Sequence, residues 1–227
     1  MTTKGIIFSD AMVRALLDGR KTQTRRLCAP ANDAALSHIV QIDVPPMPGW
    51  FGDEEGEVRF KVPYKPGDRL YVRECWGMNH YEYERGKAPT TRPVELQDQY
   101  LSYRATEDDC EIRNELYYRP SIHMPRWASR LWLAVSAVRV ERVQEMEGQH
   151  PLESDAIAEG INRIHHGDGA YFYSAFRDRP HPKNWMDPAD AFRELWDSLH
   201  TKPGTTWADN PWVVAVTFDV HDGNVDA

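Results

Sequence analysis

Three stretches of the chain carry apolar residues at the spacing of a helix. In the first, apolar side chains between residues 12 and 17 share one face, and Gly19 follows where a helix ends in a left-handed residue. A short helix is predicted over 154–159, before another glycine. The longest helix is predicted over 191–199, because Asp187 and the proline after it are typical of a helix N-terminus.

Other apolar runs are short and rich in β-branched or aromatic residues, as strands are. We predict strands over 5–8, 69–76, 131–143 and 212–220, with weaker signals over 38–44 and 99–105. No regular helices separate these strands, so a doubly wound parallel sheet is not expected. The pattern favours an α+β fold, a small and strongly bent β-barrel with flanking helices.

Two long segments, 77–118 and 161–186, have no sustained hydrophobic period. The first is polar and rich in tyrosine, and the second carries histidines and aromatic residues in a loop-like context. We therefore predict a single domain over residues 1–227, in which these two segments are long loop insertions.

The overall composition narrows the class of protein. The chain is 41% hydrophobic and 27% charged, as globular domains are, and its net charge of −8 argues against a general coat for duplex DNA. The three cysteines form no CxxC motif, and no apolar stretch is long enough to span a membrane. We expect a cytoplasmic protein with no metal site, no cofactor and no membrane partner.

The densest chemistry lies in residues 19–26, where four cations and two threonines follow the first helix. Strand alternation predicts that positions 21, 23 and 25 lie on one face, which separates Lys21 from Thr24 unless the segment turns or bulges. Clustered cations after a helix also simply complement its negative C-terminal end. The alternative is that they line a pocket for a nucleotide-like ligand.

The spacing Gly19-x-Lys21-x-x-x-x-Arg26 resembles the G-x-K-x-x-x-x-R motif of the ASCH family, a branch of the PUA-like superfamily. The chain also resembles the long ASCH proteins of phages and prophages. The matching stretches are Lys21–Arg26, Pro66–Glu74, Pro120–Arg130 and Asn210–Val213. This resemblance covers nearly all of the chain outside the two insertions.

The resemblance implies a PUA-like β-barrel with a basic cleft for RNA or a modified base. One small bacterial member of the family removes the acetyl group from N4-acetylcytidine with a lysine, a threonine and a glutamate. Carried over by motif, these catalytic residues are Lys21, Thr24 and Glu159, and Arg26 is the arginine of the motif.

Those residue types suit amide hydrolysis. A threonine hydroxyl attacks a carbonyl when a base takes its proton, and a lysine is such a base when burial or nearby cations lower its pKa. The Glu159 carboxylate is suited to protonating the leaving amine, and Arg26 to holding an oxyanion or a phosphate. Such a mechanism requires that Lys21, Thr24 and Glu159 converge.

Further residues are candidates for ligand binding in the same cleft. Arg73 and Glu74 end a predicted strand, where an exposed ion pair is the alternative. Trp76 and Trp127 are candidates for stacking on a base, and core or lid packing is the alternative for both. His123 lies in a proline-rich loop, as a site residue or as a hydrogen-bond donor that fixes the loop.

The sequence thus predicts recognition of a nucleotide or modified base in a basic cleft. Its most concrete form is hydrolysis of an N4-acetylcytidine-type nucleoside, and the expected partners are a nucleoside, a nucleotide, RNA or modified DNA. Two alternatives remain open. One is a non-catalytic module that binds RNA or modified DNA, and the other is a phage accessory protein that binds a host protein.

Overall fold

A computed structural model describes residues 3–28, 36, 38–42, 49–55, 57–79, 88–94, 96–107, 117–146, 154–167 and 169–226. Over these residues the chain is α+β, with strands in several sheets and few helices. The helices are α1 (Asp10–Leu17), α2 (Asp155–Ala158) and α3 (Pro188–Leu199). The strands are β1 (Thr3–Ile7), β2 (Gln23–Leu27), β3 (Val40–Gln41), β4 (Trp50–Gly52), β5 (Arg59–Lys61), β6 (Arg69–Arg73), β7 (Trp76–Met78), β8 (Leu101–Tyr103), β9 (Leu131–Arg142), β10 (Asn162–His165), β11 (Tyr171–Ser174) and β12 (Trp212–Asp222). None of the described helices combines the length and the apolar character that crossing a membrane requires.

The chain divides into two compact units, each built from separate segments. Unit 1 comprises Met1–Asp18, Gly67–Ala134 and Asp219–Ala227. Unit 2 comprises Gly19–Pro66 and Val135–Phe218. The long strands β9 and β12 contribute residues to both units, and the single domain that the sequence suggests stays a prediction.

In unit 1, β6 pairs with β1 on one side and with β9 on the other. The first pair is parallel, with Gly5 opposite Tyr71, and the second is antiparallel, with Leu70 opposite Leu133. Leu70 and Val72 are buried, while Arg69, Tyr71 and Arg73 are partly exposed. The core face of β6 is therefore the one that its period-two pattern indicates.

A smaller sheet in unit 1 pairs β7 with β8, with Gly77 opposite Ser102. The Trp76 and Met78 side chains of β7 pack with Leu96, Met124 and Ala128 in one buried hydrophobic cluster. The segment 77–118, expected to be an insertion, thus supplies part of a core.

In unit 2, β12 lies between β9 and β2. Strand β2 is antiparallel to β12, with Thr24 opposite Val216. Every residue from Trp212 to Val216 is buried, which is the pattern of a central strand that is covered on both faces. The strong apolar run at the end of the chain therefore forms the centre of this unit.

The segment 161–186 was predicted to be loop, and this prediction was wrong for eight of its residues. Strands β10 and β11 form an antiparallel hairpin, in which Ile164 lies opposite Phe172. A separate bridge joins Tyr173 to Trp185. Each strand has four residues, and adjacent residues of β11 are both buried, so no alternation reveals the hairpin in the sequence.

The predicted helix ends are confirmed. Gly19 follows α1 with a φ of 69°, and Gly160 follows α2 with a φ of 97°, a backbone conformation that glycine adopts without strain. Asp187 is the N-cap of α3, because its Oδ1 accepts a hydrogen bond of 2.7 Å from the Ala189 N–H.

The described strands do not close into a barrel, in contrast to the sequence expectation. The strand order begins at β1 in unit 1 and ends at β2 in unit 2, and each of these strands has one neighbour. Closure requires that every strand pair on both sides. Just before β2, the Thr22 N–H instead donates to the Ala158 O of α2, at 2.8 Å.

The cap of α3 gives a prediction for stability. Replacing Asp187 with alanine leaves the Ala189 N–H without its acceptor, so we expect the free energy of unfolding to fall by about 1 kcal/mol. Urea denaturation followed by circular dichroism measures this change. Asp187→Asn keeps the acceptor and serves as the control, and an equal loss in both variants would contradict the capping role.

Candidate functional site

The backbone before β2 is held between β12 and the end of α2. The Thr22 O accepts a hydrogen bond of 2.9 Å from the Phe218 N–H, and the Thr22 N–H donates to Ala158. Lys21 and Glu159 therefore meet in an isolated antiparallel bridge, although 138 residues separate them in the chain. The fold brings the motif lysine and the predicted glutamate together at one point of unit 2.

Lys21 and Glu159 form a buried ion pair. The Lys21 Nζ donates to the Glu159 Oε2 at 2.8 Å and to the Glu159 backbone O at 2.7 Å. The two residues are only 2% and 3% exposed. Charges so fully removed from water are tolerated in a protein when they are paired and hydrogen-bonded, as these are.

Burial lowers the pKa of Lys21 from its ordinary value of 10.5, because it takes the ammonium group out of water. The Glu159 carboxylate raises this pKa, and Arg26 and Arg25 lower it further. The net direction is downward. Lys21 therefore gives up its proton more readily than an exposed lysine does.

Arg25 is the second buried cation of this site. Its Nη2 donates to the Glu141 Oε1 at 2.5 Å and to the Asp155 Oδ2 at 2.6 Å. Its Nη1 donates to the Gln23 Oε1 at 2.7 Å and to the Glu159 Oε1 at 3.3 Å. Burial by itself lowers the pKa of Arg25, but the three carboxylates raise it overall, so the guanidinium stays charged.

Arg139, at the edge of this cluster, binds two of the same carboxylates. Its Nε donates to the Glu141 Oε2 at 3.1 Å and its Nη2 to the Asp155 Oδ2 at 3.0 Å. Three cations thus face three carboxylates, and we call this set the ionic cluster: Lys21, Arg25, Arg139, Glu141, Asp155 and Glu159. Sequence reasoning named Lys21 and Glu159 as catalytic residues and counted Arg25 among the cations near Lys21, on the same face by alternation. It missed Arg139, Glu141 and Asp155.

Thr24, unlike its neighbours Gln23 and Arg25, does not lie on the face of β2 that contacts the carboxylates. The side chains of Gln23 and Arg25 both reach Asp155, so they share one face of β2. Alternation places Thr24, which is buried, and Arg26 on the opposite face. Burial lowers the pKa of Arg26, and Tyr64 and then Glu159 oppose this shift.

The other predicted binding residues lie in unit 1. Glu74 is buried and receives a bidentate pair of hydrogen bonds from Arg130, both of 2.9 Å. Burial raises the pKa of Glu74, and Arg130 opposes that rise. The Arg73 side chain donates to the Met124 O at 3.1 Å and to the Ile122 O, so it fastens the proline-rich loop.

The aromatic candidates are placed differently from each other. Trp76 is fully buried, lies edge-on to Trp127, and has the Arg119 guanidinium over its ring at 5.6 Å. Its faces are therefore covered by protein, which corrects the expectation that it stacks on a base. Trp127 is half-buried and donates from Nε1 to the Pro89 O at 3.1 Å. His123 is exposed.

Comparison of the chain with known proteins found no relative. No protein-family model matches the chain, and neither a curated protein nor a solved structure matches it. The ASCH resemblance therefore rests on the residues quoted above and stays a prediction. Among the described residues, no group of three or more histidine, cysteine, aspartate and glutamate side chains is arranged to hold a metal ion.

The buried ion pair gives a second prediction. Glu159→Gln leaves the Lys21 ammonium buried without its counter-ion, so we expect the free energy of unfolding to fall by about 3 kcal/mol or more at neutral pH. Chemical denaturation measures the free energy of unfolding of the two proteins. The exposed pair Arg92–Asp98 is the control, since Asp98→Asn is expected to cost less than about 1 kcal/mol. Similar losses in both variants would contradict the importance of burial.

Proposed function

We propose that this protein hydrolyses the exocyclic amide of an N4-acylated cytosine nucleoside, with Lys21 and Glu159 as its catalytic pair. One observation carries the proposal: the Lys21 Nζ lies 2.8 Å from the Glu159 Oε2 in a buried setting where the pKa of Lys21 is lowered. Amide hydrolysis uses a base that activates the attacking hydroxyl and a group that carries a proton to the leaving amine, and these two side chains have the chemistry for both tasks. The ASCH resemblance, and with it a PUA-like fold, supports this choice of substrate.

In the proposed reaction, unprotonated Lys21 takes the proton of an attacking hydroxyl. The hydroxyl oxygen bonds to the acyl carbon, and the resulting tetrahedral intermediate then loses its bond to the N4 nitrogen. The proton passes from Lys21 through Glu159 to that nitrogen, so cytidine leaves as the amine. When the hydroxyl is that of water, the other product is the free carboxylic acid.

Two hydroxyls are candidates for the attack, that of Thr24 and that of a water molecule. The resemblance assigns the role to Thr24. The position of Thr24 on the face of β2 opposite to Gln23 and Arg25 favours water. With Thr24 the product would first be an ester, which water then has to cleave.

The near-complete burial of Lys21 and Glu159 favours a second candidate function, a binding module without catalysis. In that case the ion pair joins α2 to β2, and Arg26 contributes a cation for the phosphate of a nucleotide or of RNA in the cytoplasm. Turnover separates this function from the first.

The primary prediction concerns turnover. Purified protein is expected to convert N4-acetylcytidine to cytidine, and Lys21→Ala is expected to lower kcat by at least about a thousandfold, because the base is lost. Liquid chromatography of the nucleosides measures both. Lys61→Ala, which removes an exposed lysine of β5, is the matched control and is expected to leave kcat unchanged.

Two outcomes would contradict the hydrolase. The first is no turnover by the wild-type protein, and binding of the nucleoside in calorimetry would then support the binding module. The second is equal activity of the Lys21→Ala and Lys61→Ala variants. Thr24→Val then identifies the attacking oxygen, since a loss as large as that of Lys21→Ala assigns it to the threonine and retained turnover assigns it to water.

The lowered pKa of Lys21 gives a prediction for pH dependence. The base must be unprotonated, so kcat is expected to rise with pH through the pKa of Lys21 and to level off below the ordinary lysine value of 10.5. Initial rates measured across this range at saturating substrate test it. A kcat that falls as pH rises would show that Lys21 does not act as a base.

A further inference from the structure

We propose that Arg25 is a positioning residue for Glu159. Its guanidinium holds one carboxylate oxygen of Glu159, so that the other faces the Lys21 ammonium. The inference rests on the proposed function, in which Glu159 carries a proton from Lys21 to the leaving amine. It gives Arg25 a role that none of the steps of the proposed reaction includes.

The Glu159 carboxylate is shared between two cations. Its Oε2 accepts from the Lys21 Nζ at 2.8 Å, and its Oε1 accepts from the Arg25 Nη1 at 3.3 Å. The main chain of the same residue is fixed as well, since its N–H donates to the Asp155 O at 2.9 Å. Rotation of the carboxylate away from Lys21 would therefore break its contact with Arg25.

Arg25 can act in this way because its own position is fixed by other contacts. Its Nη2 lies within 2.6 Å of both Glu141 and Asp155, and its Nη1 is 2.7 Å from the Gln23 Oε1. The guanidinium carbon also lies 6.0 Å from the centre of the Phe192 ring of α3. The cation is thus anchored to β9, α2, β2 and α3 independently of its contact with Glu159.

A lysine does not reproduce this arrangement. A guanidinium is a flat fork whose nitrogens point in fixed directions, whereas an ammonium group is a single point with three donors. Arg25 serves four acceptors on four residues at once. Lysine at this position keeps the charge but cannot reach all four, so the carboxylate of Glu159 becomes free to turn.

The experiment compares Arg25→Lys with Arg139→Lys. Both substitutions keep a positive charge next to Glu141 and Asp155, because Arg139 also donates to these two carboxylates. With N4-acetylcytidine as substrate, Arg25→Lys is expected to lower kcat by about thirtyfold or more and to change KM by less than about threefold. Arg139→Lys leaves the guanidinium of Arg25 in place, so its loss of kcat is expected to be at least about tenfold smaller than that of Arg25→Lys.

A second measurement does not depend on activity. In protein labelled with [13C]lysine, the Lys21 Cε signal, assigned by its absence in Lys21→Met, is titrated with pH. The charged groups that shift the pKa of Lys21 include Glu159, Arg26 and Arg25. In Arg25→Lys the midpoint of this titration is expected to fall, since the freed Glu159 carboxylate turns away from Lys21 and stabilises its ammonium group less. In Arg139→Lys it is expected to stay.

The outcomes separate this proposal from the proposed function. If wild-type protein does not hydrolyse N4-acetylcytidine, the hydrolase fails, and the Lys21 titration alone decides whether Arg25 positions Glu159. Equal losses of kcat in the two variants, or equal midpoints, would overturn the positioning role. If Arg25→Lys does not fold, Glu141→Gln is the second variant, because it removes one anchor of Arg25. It is expected to lower both kcat and the midpoint of the Lys21 titration, and an unchanged kcat and midpoint would overturn the positioning role.

Discussion

The cost of removing charge from water is the constraint on which unit 2 depends. Lys21, Arg25 and Glu159 are all buried, and each would be strongly unfavourable there alone. The ionic cluster solves this because every cation has carboxylate partners within hydrogen-bond distance. The cluster joins β2, β9 and α2. The geometry of the candidate site therefore depends directly on how these three elements pack.

The same constraint limits what the cluster can do. A lysine that is paired with a carboxylate keeps its proton more firmly, while burial and two nearby arginines loosen it. The balance in Lys21 is downward, which is the direction that a base requires. An arginine in place of Lys21 would keep the positive charge beside Glu159, but it does not lose its proton under physiological conditions.

Much of the local structure was predictable from the sequence, and the long-range partners were not. The glycine after α1, the cap of α3 and the two longest strands follow from residue types at fixed spacing. Alternation also placed positions 21, 23 and 25 on one face. The partners Glu141 and Asp155 lie more than a hundred residues away, and nothing in their sequence context distinguishes them from ordinary surface acids. Trp76, by contrast, was named as a candidate for base stacking but lies in a hydrophobic core. An aromatic residue that fills a core and one that stacks on a ligand have the same sequence pattern.

The contact between Thr22 and Ala158 has a consequence for the behaviour of the protein in concentrated solution. An edge strand such as β2 offers unpaired backbone groups that can template pairing with another chain. Here the end of α2 occupies part of that edge, and the buried ion pair beside it fastens α2 in place. Transient separation of α2 would uncover both the backbone edge of β2 and a set of buried charges. Because the ionic cluster holds α2 against this edge, we expect it to make pairing of β2 with a second chain less favourable.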